Sequence, residues 1–130
     1  MSELHVDIVT PEKTVFSGRA TELRVPGFEG ELGVLPGHAA VLVVLRGGVT
    51  TVVTDSGTTR FITGRGFVEA GGERAVVLAD SCELAGQSDK TAAQRELEAA
   101  ERVIADSMDG SDERASAEQA AERARARLEA

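Results

Sequence analysis

Leu4, Val6 and Ile8 alternate with His5, Asp7 and Val9, the period-two pattern of a strand with one buried face. Thr10-Pro11-Glu12-Lys13 follows as a turn, with proline pre-setting the backbone. Val15 and Phe16 begin a second strand, Ser17-Gly18 interrupts it, and residues 20–25 continue the sheet. The stretch VPGFEGELGVLPGHAAVL (25–42) then reads as a glycine- and proline-rich loop between apolar segments. Beyond it the pattern predicts strands over 41–45, 49–53, 59–63, 67–69 and 74–79. Arg46-Gly47-Gly48, the turn Asp55-Ser56-Gly57 and the turn at Gly71-Gly72 separate them, and Gly64-Arg65-Gly66 interrupts the pattern. Cys82, within LADSCELA, reads as a half-buried strand residue. Short strands with turn signals roughly every eight to twelve residues predict an all-β sandwich or flattened barrel over residues 1–86.

The texture changes after that point. Residues 89–130 hold only Gly110, no proline, and mostly Ala, Glu and Arg. Ser88 is placed to cap a helix over 89–107 whose apolar stripe is Ala93, Leu97, Ala100 and Ile104. Residues 106–112 break it, with Gly110 suited to a left-handed position. Ser111 or Asp112 starts a second helix to the C-terminus, with stripe Ala117, Ala120, Ala121, Ala124 and Leu128. Two such helices joined by a short loop predict an antiparallel hairpin over 87–130, and the fold class is α+β. The hairpin's interior is mostly alanine. Burying a methylene-sized group contributes about 0.8 kcal/mol, whereas ordering a residue's backbone costs about 1–2 kcal/mol. A pair such as Glu98 with Arg102 adds only tenths of a kcal/mol. The hairpin is therefore expected to be marginal, able to detach, extend or re-dock.

Composition narrows the function classes. The 130 residues are 42% hydrophobic and 28% charged, within the globular range. Four Phe and no Trp or Tyr leave the core to Val, Leu, Ile and Ala and weaken any case for base stacking. The net charge of −8 argues against nucleic acid and anionic membrane surfaces as partners. A lone cysteine excludes a disulfide framework. MSELHVDIV carries no basic stretch followed by a long apolar run, so no signal peptide is expected. The longest apolar run, residues 39–45, is too short to span a bilayer.

Several residue sets carry possible chemistry. GFEGELG (27–33) lacks the Gly-Lys-Ser/Thr and the following helix of a phosphate loop, so its glycines are read as turn and bulge formers. Gly64-Arg65-Gly66-Phe67-Val68-Glu69 has strand-to-strand context and no third glycine, so a β-bulge is preferred to a dinucleotide fingerprint. Glu29, Glu31 and His38 are the residue types of a small hydrolase. Cys82 with His38 and Asp80 has the types of a nucleophilic triad, Asp80 and Cys82 sharing one strand face. His5, His38 and one thiol make no metal-ligand spacing, and no metal is expected. Arg123, Arg125 and Arg127 near the C-terminus either complement the helix dipole or present a basic patch to an acidic partner.

VPGFEGELGVLPGHA, followed by Val41-Leu42 and Leu45-Arg46-Gly47-Gly48, resembles the signature of the epsilon subunit of F-type ATP synthases. HVDIVTPEKTVFSG (5–18) resembles that family's first hairpin, and VLADSCELAGQSD (77–89) its passage from the last strand into the first helix. The resemblance covers the whole chain. It implies a non-catalytic rotor subunit of the central stalk, coupling the catalytic head to the c-ring. A peripheral position on a bacterial plasma membrane or a chloroplast thylakoid would suit it; the high Ala, Gly and Arg content and the lack of an expected transit peptide favour the cytoplasmic face of the bacterial membrane.

The same resemblance assigns Glu29, Gly30, Glu31, Leu32 and Gly33 to the c-ring contact, with Glu31 foremost, and His38, Ala39 and Ala40 to the gamma-subunit contact. It implies that the hairpin, with Asp89, Arg123, Arg125 and Arg127, can extend toward the alpha and beta catalytic subunits and inhibit ATP hydrolysis. Some family members bind ATP at the hairpin through an Asp followed three residues later by Arg-Ala, with a further Arg downstream. Asp89 matches, but Ala92 and Ala99 stand at the other positions, and Arg95 and Arg102 fall elsewhere. No regulatory ATP site or other cofactor is expected. The competing readings are a β-sandwich adaptor with a helical tail for an unrelated partner, and the Glu31/His38 hydrolase.

Overall fold

Ten strands and two helices follow one another in the computed structural model, which describes residues 3–87 and 89–130. The strands are β1 (Leu4–Val9), β2 (Thr14–Ala20), β3 (Glu22–Gly27), β4 (Gly30–Val34), β5 (His38–Leu45), β6 (Gly48–Thr54), β7 (Gly57–Thr63), β8 (Gly66–Gly72), β9 (Arg74–Ala79) and β10 (Cys82–Leu84). The helices are α1 (Lys90–Asp106) and α2 (Asp112–Glu129). The strands join in the order β10-β7-β6-β3-β5-β8-β9-β1-β2, with β4 paired to β3 alone. Neighbours are antiparallel except β1, which runs parallel to β9. The sheet folds over itself into a flattened, nearly closed barrel, the α+β architecture expected.

Alternation explains the core. Leu4, Val6 and Ile8 of β1, Leu23 and Val25 of β3, Val34, Leu45, Val52, Val68 and Val77 are fully buried and meet in one cluster. Phe16 of β2, at one end of the strand path, and Phe61 of β7, next to its other end, meet edge to face with 5.9 Å between centroids. Thr50 and Thr63, the buried polar side chains among the described residues, satisfy each other, with 2.8 Å between hydroxyl oxygens.

Glycine punctuation misleads in three places. β2 runs unbroken through Ser17-Gly18: Gly18 pairs with Val6, and a side chain there would press on the Phe16 ring. At Gly71-Gly72 the turn lies one residue later than expected: Gly71 pairs with Arg74, and Gly72, at φ +61°, and Glu73 are the two turn residues. Gly64-Arg65 is a strand-to-strand corner, not a bulge, clasped by Gly64 N–H to Ser81 O and Asp80 N–H to Arg65 O, both 2.9 Å. A Cβ on Gly66 would stand 1.8 Å from the Leu78 carbonyl oxygen, so the corner depends on backbone contact that only glycine permits. The register shifts that do occur lie at Ile8/Val9 and between His38 and Val41.

The helices end as their sequence chemistry dictates. Asp89 caps α1, accepting from the amides of Thr91 and Ala92 at 2.9 and 3.4 Å; the expected cap, Ser88, lies outside the described residues. Ser111 caps α2 through the Arg114 amide at 3.1 Å, and Gly110 is left-handed at φ +77°. Each helix also closes the other's C-terminus. Lys90 Nζ donates to the carbonyls of Arg127, Leu128 and Ala130 at 2.7–3.0 Å, and Arg114 Nη1 to those of Ile104 and Ser107 at 3.1 and 3.2 Å. Glu98 accepts from Gln94 at 3.2 Å in place of the expected pairing with Arg102.

Ala93 and Ala100 of α1 and Ala117, Ala121 and Ala124 of α2 are buried, as their stripes predict; Leu97, Ile104, Ala120 and Leu128 are half-buried. Ala126 is buried as well, outside the α2 stripe. The reason is that α2 lies between α1 on one side and β6 and β7 on the other.

Gly66→Ala is expected to destabilise the protein by about 3 kcal/mol in urea unfolding, because the clash is with backbone. Gly64→Ala should cost less, since its clash is with the Asp80 side chain, which can rotate away.

Candidate functional site

The glycine-rich stretch folds as strands rather than a loop. β3 and β4 form a hairpin closed by the pair Gly27 and Gly30, with Phe28 and Glu29 at its tip. Gly30 has φ +130°, and a Cβ on Gly27 would stand 2.7 Å from Gly30 O, so both ends of the turn need glycine. Along β4, Leu32 and Val34 turn inward while Glu31 and Gly33 face out. That is ordinary period-two alternation, hidden because Gly33 takes one of the two outward positions and Gly30 stands at the turn end of the strand. Glu29, Gly30, Glu31 and Gly33 are thus exposed along the hairpin, while Leu32 is half-buried against the core.

His38 stands beyond the opposite end of β4. Leu35-Pro36-Gly37-His38 is a tight turn with Pro36 second, Gly37 third at φ +86°, and His38 N–H donating to Leu35 O at 3.1 Å. His38 then opens β5 across from Gly72, and Ala39 and Ala40 lie exposed in the irregular register that follows. Glu31 and His38 are therefore not brought together, and the hydrolase set is not assembled. The triad fares no better. His38 Nδ1 is 2.6 Å from Ala39 O, Asp80 lies in the turn between β9 and β10, and Cys82 sits in β10 opposite Thr63. Burial pushes the Cys82 thiol up to about 11, with Glu83 adding to the rise, which disfavours the nucleophilic thiolate. Among the described residues, no three His, Cys, Asp or Glu side chains gather into a metal-binding group. No described helix is long and apolar enough to cross a membrane.

Two features escaped the sequence pattern. The first is an apolar ridge on the outer face of β5 and β8: Leu42 (66% exposed), Val44 (60%) and Phe67 (42%), with Val44 directly opposite Phe67. Phe28 (46%) continues it, its N–H donating to Val44 O at 3.2 Å. Val41 and Val43 pack inward from the same strand. The signal was the lack of alternation in AAVLVVL (39–45), which marks a strand whose two faces are both apolar.

The second is a polar latch under α2. Glu122 accepts two hydrogen bonds from Arg65, Nε at 3.0 Å and Nη2 at 2.9 Å, and one from the Gly47 amide at 2.9 Å. The pair is largely removed from water, with side chains 31% (Arg65) and 16% (Glu122) exposed. A Cβ on Gly47 would meet the Glu122 side chain at 2.9 Å, so glycine there lets the helix approach. Arg65 also lies 5.4 Å from the Phe28 ring centroid and Arg46 lies 6.0 Å from it. A cleft of about 440 Å³ separates Gly30 and Glu31 from Glu122 and Arg125. Burial raises the Glu122 pKa, but the bonds from Arg65 and Gly47, with the charges of Arg65 and Arg46, outweigh it and hold the carboxyl below its ordinary value.

The C-terminal arginines do not make one basic patch. Successive helical residues turn by about 100°, so Arg125 projects away from Arg123 and Arg127. Arg127 is engaged by Glu83 of β10 at 2.7 Å and Glu96 of α1 at 2.6 Å, and Arg125 faces Glu101 at 3.8 Å. Arg127 is a second clasp between hairpin and barrel.

Residues 3–85 match the family model described as "ATP synthase, Delta/Epsilon chain, beta-sandwich domain". The chain is 38% identical to the ATP synthase epsilon chain of Moorella thermoacetica over 131 residues, covering 100% of this chain and 97% of that one. It is 35% identical to that of a Synechococcus species, covering 98% and 95%. With the epsilon chain of Rhodobacter capsulatus it shares 44% identity over 77 residues, 59% of this chain and 58% of that one. In shape it is similar to a chain of the Euglena gracilis mitochondrial ATP synthase, with TM-score 0.83, 18% identity, and coverage of 99% of this chain and 81% of that one.

Because the Glu122 pKa is lowered in the folded state, the ionised latch contributes stability at pH values above the ordinary carboxyl value of 4.5, and that contribution is lost as the pH falls through the lowered value. Glu122→Gln is expected to cost about 1–2 kcal/mol in urea unfolding at pH 7, after discounting for partial exposure. The gap between variant and wild type should narrow as the pH drops below 4.5.

Proposed function

Since the chain belongs to the family of ATP synthase epsilon chains, we propose that it is a non-catalytic subunit of the enzyme's central stalk, coupling the catalytic head to the c-ring. The observation that carries this reading is the outward apolar ridge of Leu42, Val44 and Phe67. An apolar strand face of this kind is what a permanent protein partner covers. The gamma subunit is the partner proposed for it, reached also by His38, Ala39 and Ala40 at the start of the same strand. The segment of Glu29, Gly30, Glu31, Leu32 and Gly33, exposed except at Leu32, is proposed to meet the polar loops of the c-ring, with Glu31 its principal contact.

Residues 1–86 are taken as the assembly domain and 87–130 as a regulatory hairpin. The hairpin is proposed to leave the barrel, extend toward the alpha and beta catalytic subunits and restrain ATP hydrolysis. Its alanine-rich interior and two polar clasps support this, because few large apolar contacts oppose release. Release would free Arg127 from Glu83 of the barrel and make the carboxylates of the catalytic head alternative partners for it. Asp89 serves as the α1 cap. The subunit's proposed place is peripheral, on the cytoplasmic face of a bacterial plasma membrane.

Val44→Asp is expected to weaken capture by purified gamma subunit by about thirtyfold or more. Failure of the wild-type chain to bind gamma would overturn the reading; wild-type affinity in the variant would move the contact off the ridge. Deleting residues 87–130 should leave assembly intact and raise ATP hydrolysis by the reconstituted enzyme or leave it unchanged. Loss of assembly would contradict the division of the chain.

A further inference from the structure

Arg65 is engaged from two directions by elements far apart in sequence. Its fork grips Glu122 of α2 with two charge-assisted bonds, and its guanidinium carbon stands 5.4 Å from the ring of Phe28 at the β3–β4 tip. Arg65 itself is fixed by the corner between β7 and β8, where its carbonyl accepts from Asp80 N–H and Gly66 tolerates no side chain. The guanidinium is thus a rigidly rooted group with one partner on the helical hairpin and another on the turn.

The surroundings tie the same elements. Glu122 also takes the Gly47 amide, and the neighbouring Arg46 amide donates to Pro26 O of β3 at 2.9 Å. The tip is anchored to the sheet by Phe28 N–H to Val44 O. The cleft between them has Gly30 and Glu31 on one wall and Glu122 and Arg125 on the other.

We propose that Arg65 couples the two: docking of α2 through Glu122 steadies the Phe28–Glu29 tip, and loading or displacing the tip shifts the docking of α2. While Glu122 holds the fork, the guanidinium is fixed in place beside the ring. When α2 leaves, Arg65 loses both bonds and gains rotameric freedom, and Phe28 loses an ordered cation. Linkage makes the effect reciprocal: whatever stabilises one arrangement of the tip stabilises the matching state of the hairpin. This holds for the chain alone and does not depend on which partner takes the tip.

Amide hydrogen exchange on the full chain tests it. The Phe28 amide, bonded to Val44, reports the tip, and the Gly47 amide, bonded to Glu122, reports the docked helix. Glu122→Gln is expected to speed Phe28 exchange about three- to tenfold, and Phe28→Leu to speed Gly47 exchange by a similar factor. In an Arg65→Met background both cross-effects should fall below about twofold. The same loss is expected with Arg65→Lys, which keeps the charge and loses the planar fork. Absence of cross-effects in the native background, or their persistence at full size without Arg65, would overturn the proposal.

Discussion

A single carboxylate decides how the two parts of this chain meet. Glu122 lies under α2 where it can reach both the Gly47 amide and the Arg65 fork, and burial there would penalise its charge if any of those partners were missing. The arrangement therefore fixes more than one element. It sets the height of α2 above the turn between β5 and β6, requires glycine at position 47, and defines the rotation of the helix. That rotation turns Ala126 inward along with Ala117, Ala121 and Ala124, and brings Arg127 to Glu83. Alanine makes the close approach possible but contributes little per residue, so the charged contacts carry the specificity of docking.

The internal bracing of the hairpin is of a different kind. Lys90 and Arg114 each close the far helix's last carbonyls, so α1 and α2 support one another through contacts that do not involve the barrel. Internal closure and external clasping are thus separate sets of interactions. The barrel is gripped by Glu122, through Arg65 and Gly47, and by Arg127, through Glu83, while Arg127 also holds Glu96 within the hairpin. The barrel, by contrast, is closed by packing: the Phe16–Phe61 contact and a continuous aliphatic cluster run across its strand path.

β5 is apolar on both faces, inward through Val41, Val43 and Leu45 and outward through Leu42 and Val44. The residue types that suggested catalysis are dispersed by the topology: Glu31 near one end of the β3–β4 hairpin, His38 past the other, Cys82 on a separate strand. An enzyme reading relied on residue type alone, and geometry removed its basis.

Local alternation, turn residues and helical periodicity were enough to place most strands, the hairpin's two helices and the α+β class, because each depends on neighbours within a few residues. The family signature in residues 25–48 was equally legible. Three things were not. Gly18 sits inside a strand because of what lies across from it, and the 30–34 strand was masked by Gly30 at its turn end and Gly33 at an outward position. The latch joins positions 47, 65 and 122, and no local pattern relates residues so far apart. The three C-terminal arginines looked like one patch because adjacency in sequence is not adjacency on a helix; only the packing of α2 between α1 and the sheet determined that Arg127 would be used as a clasp.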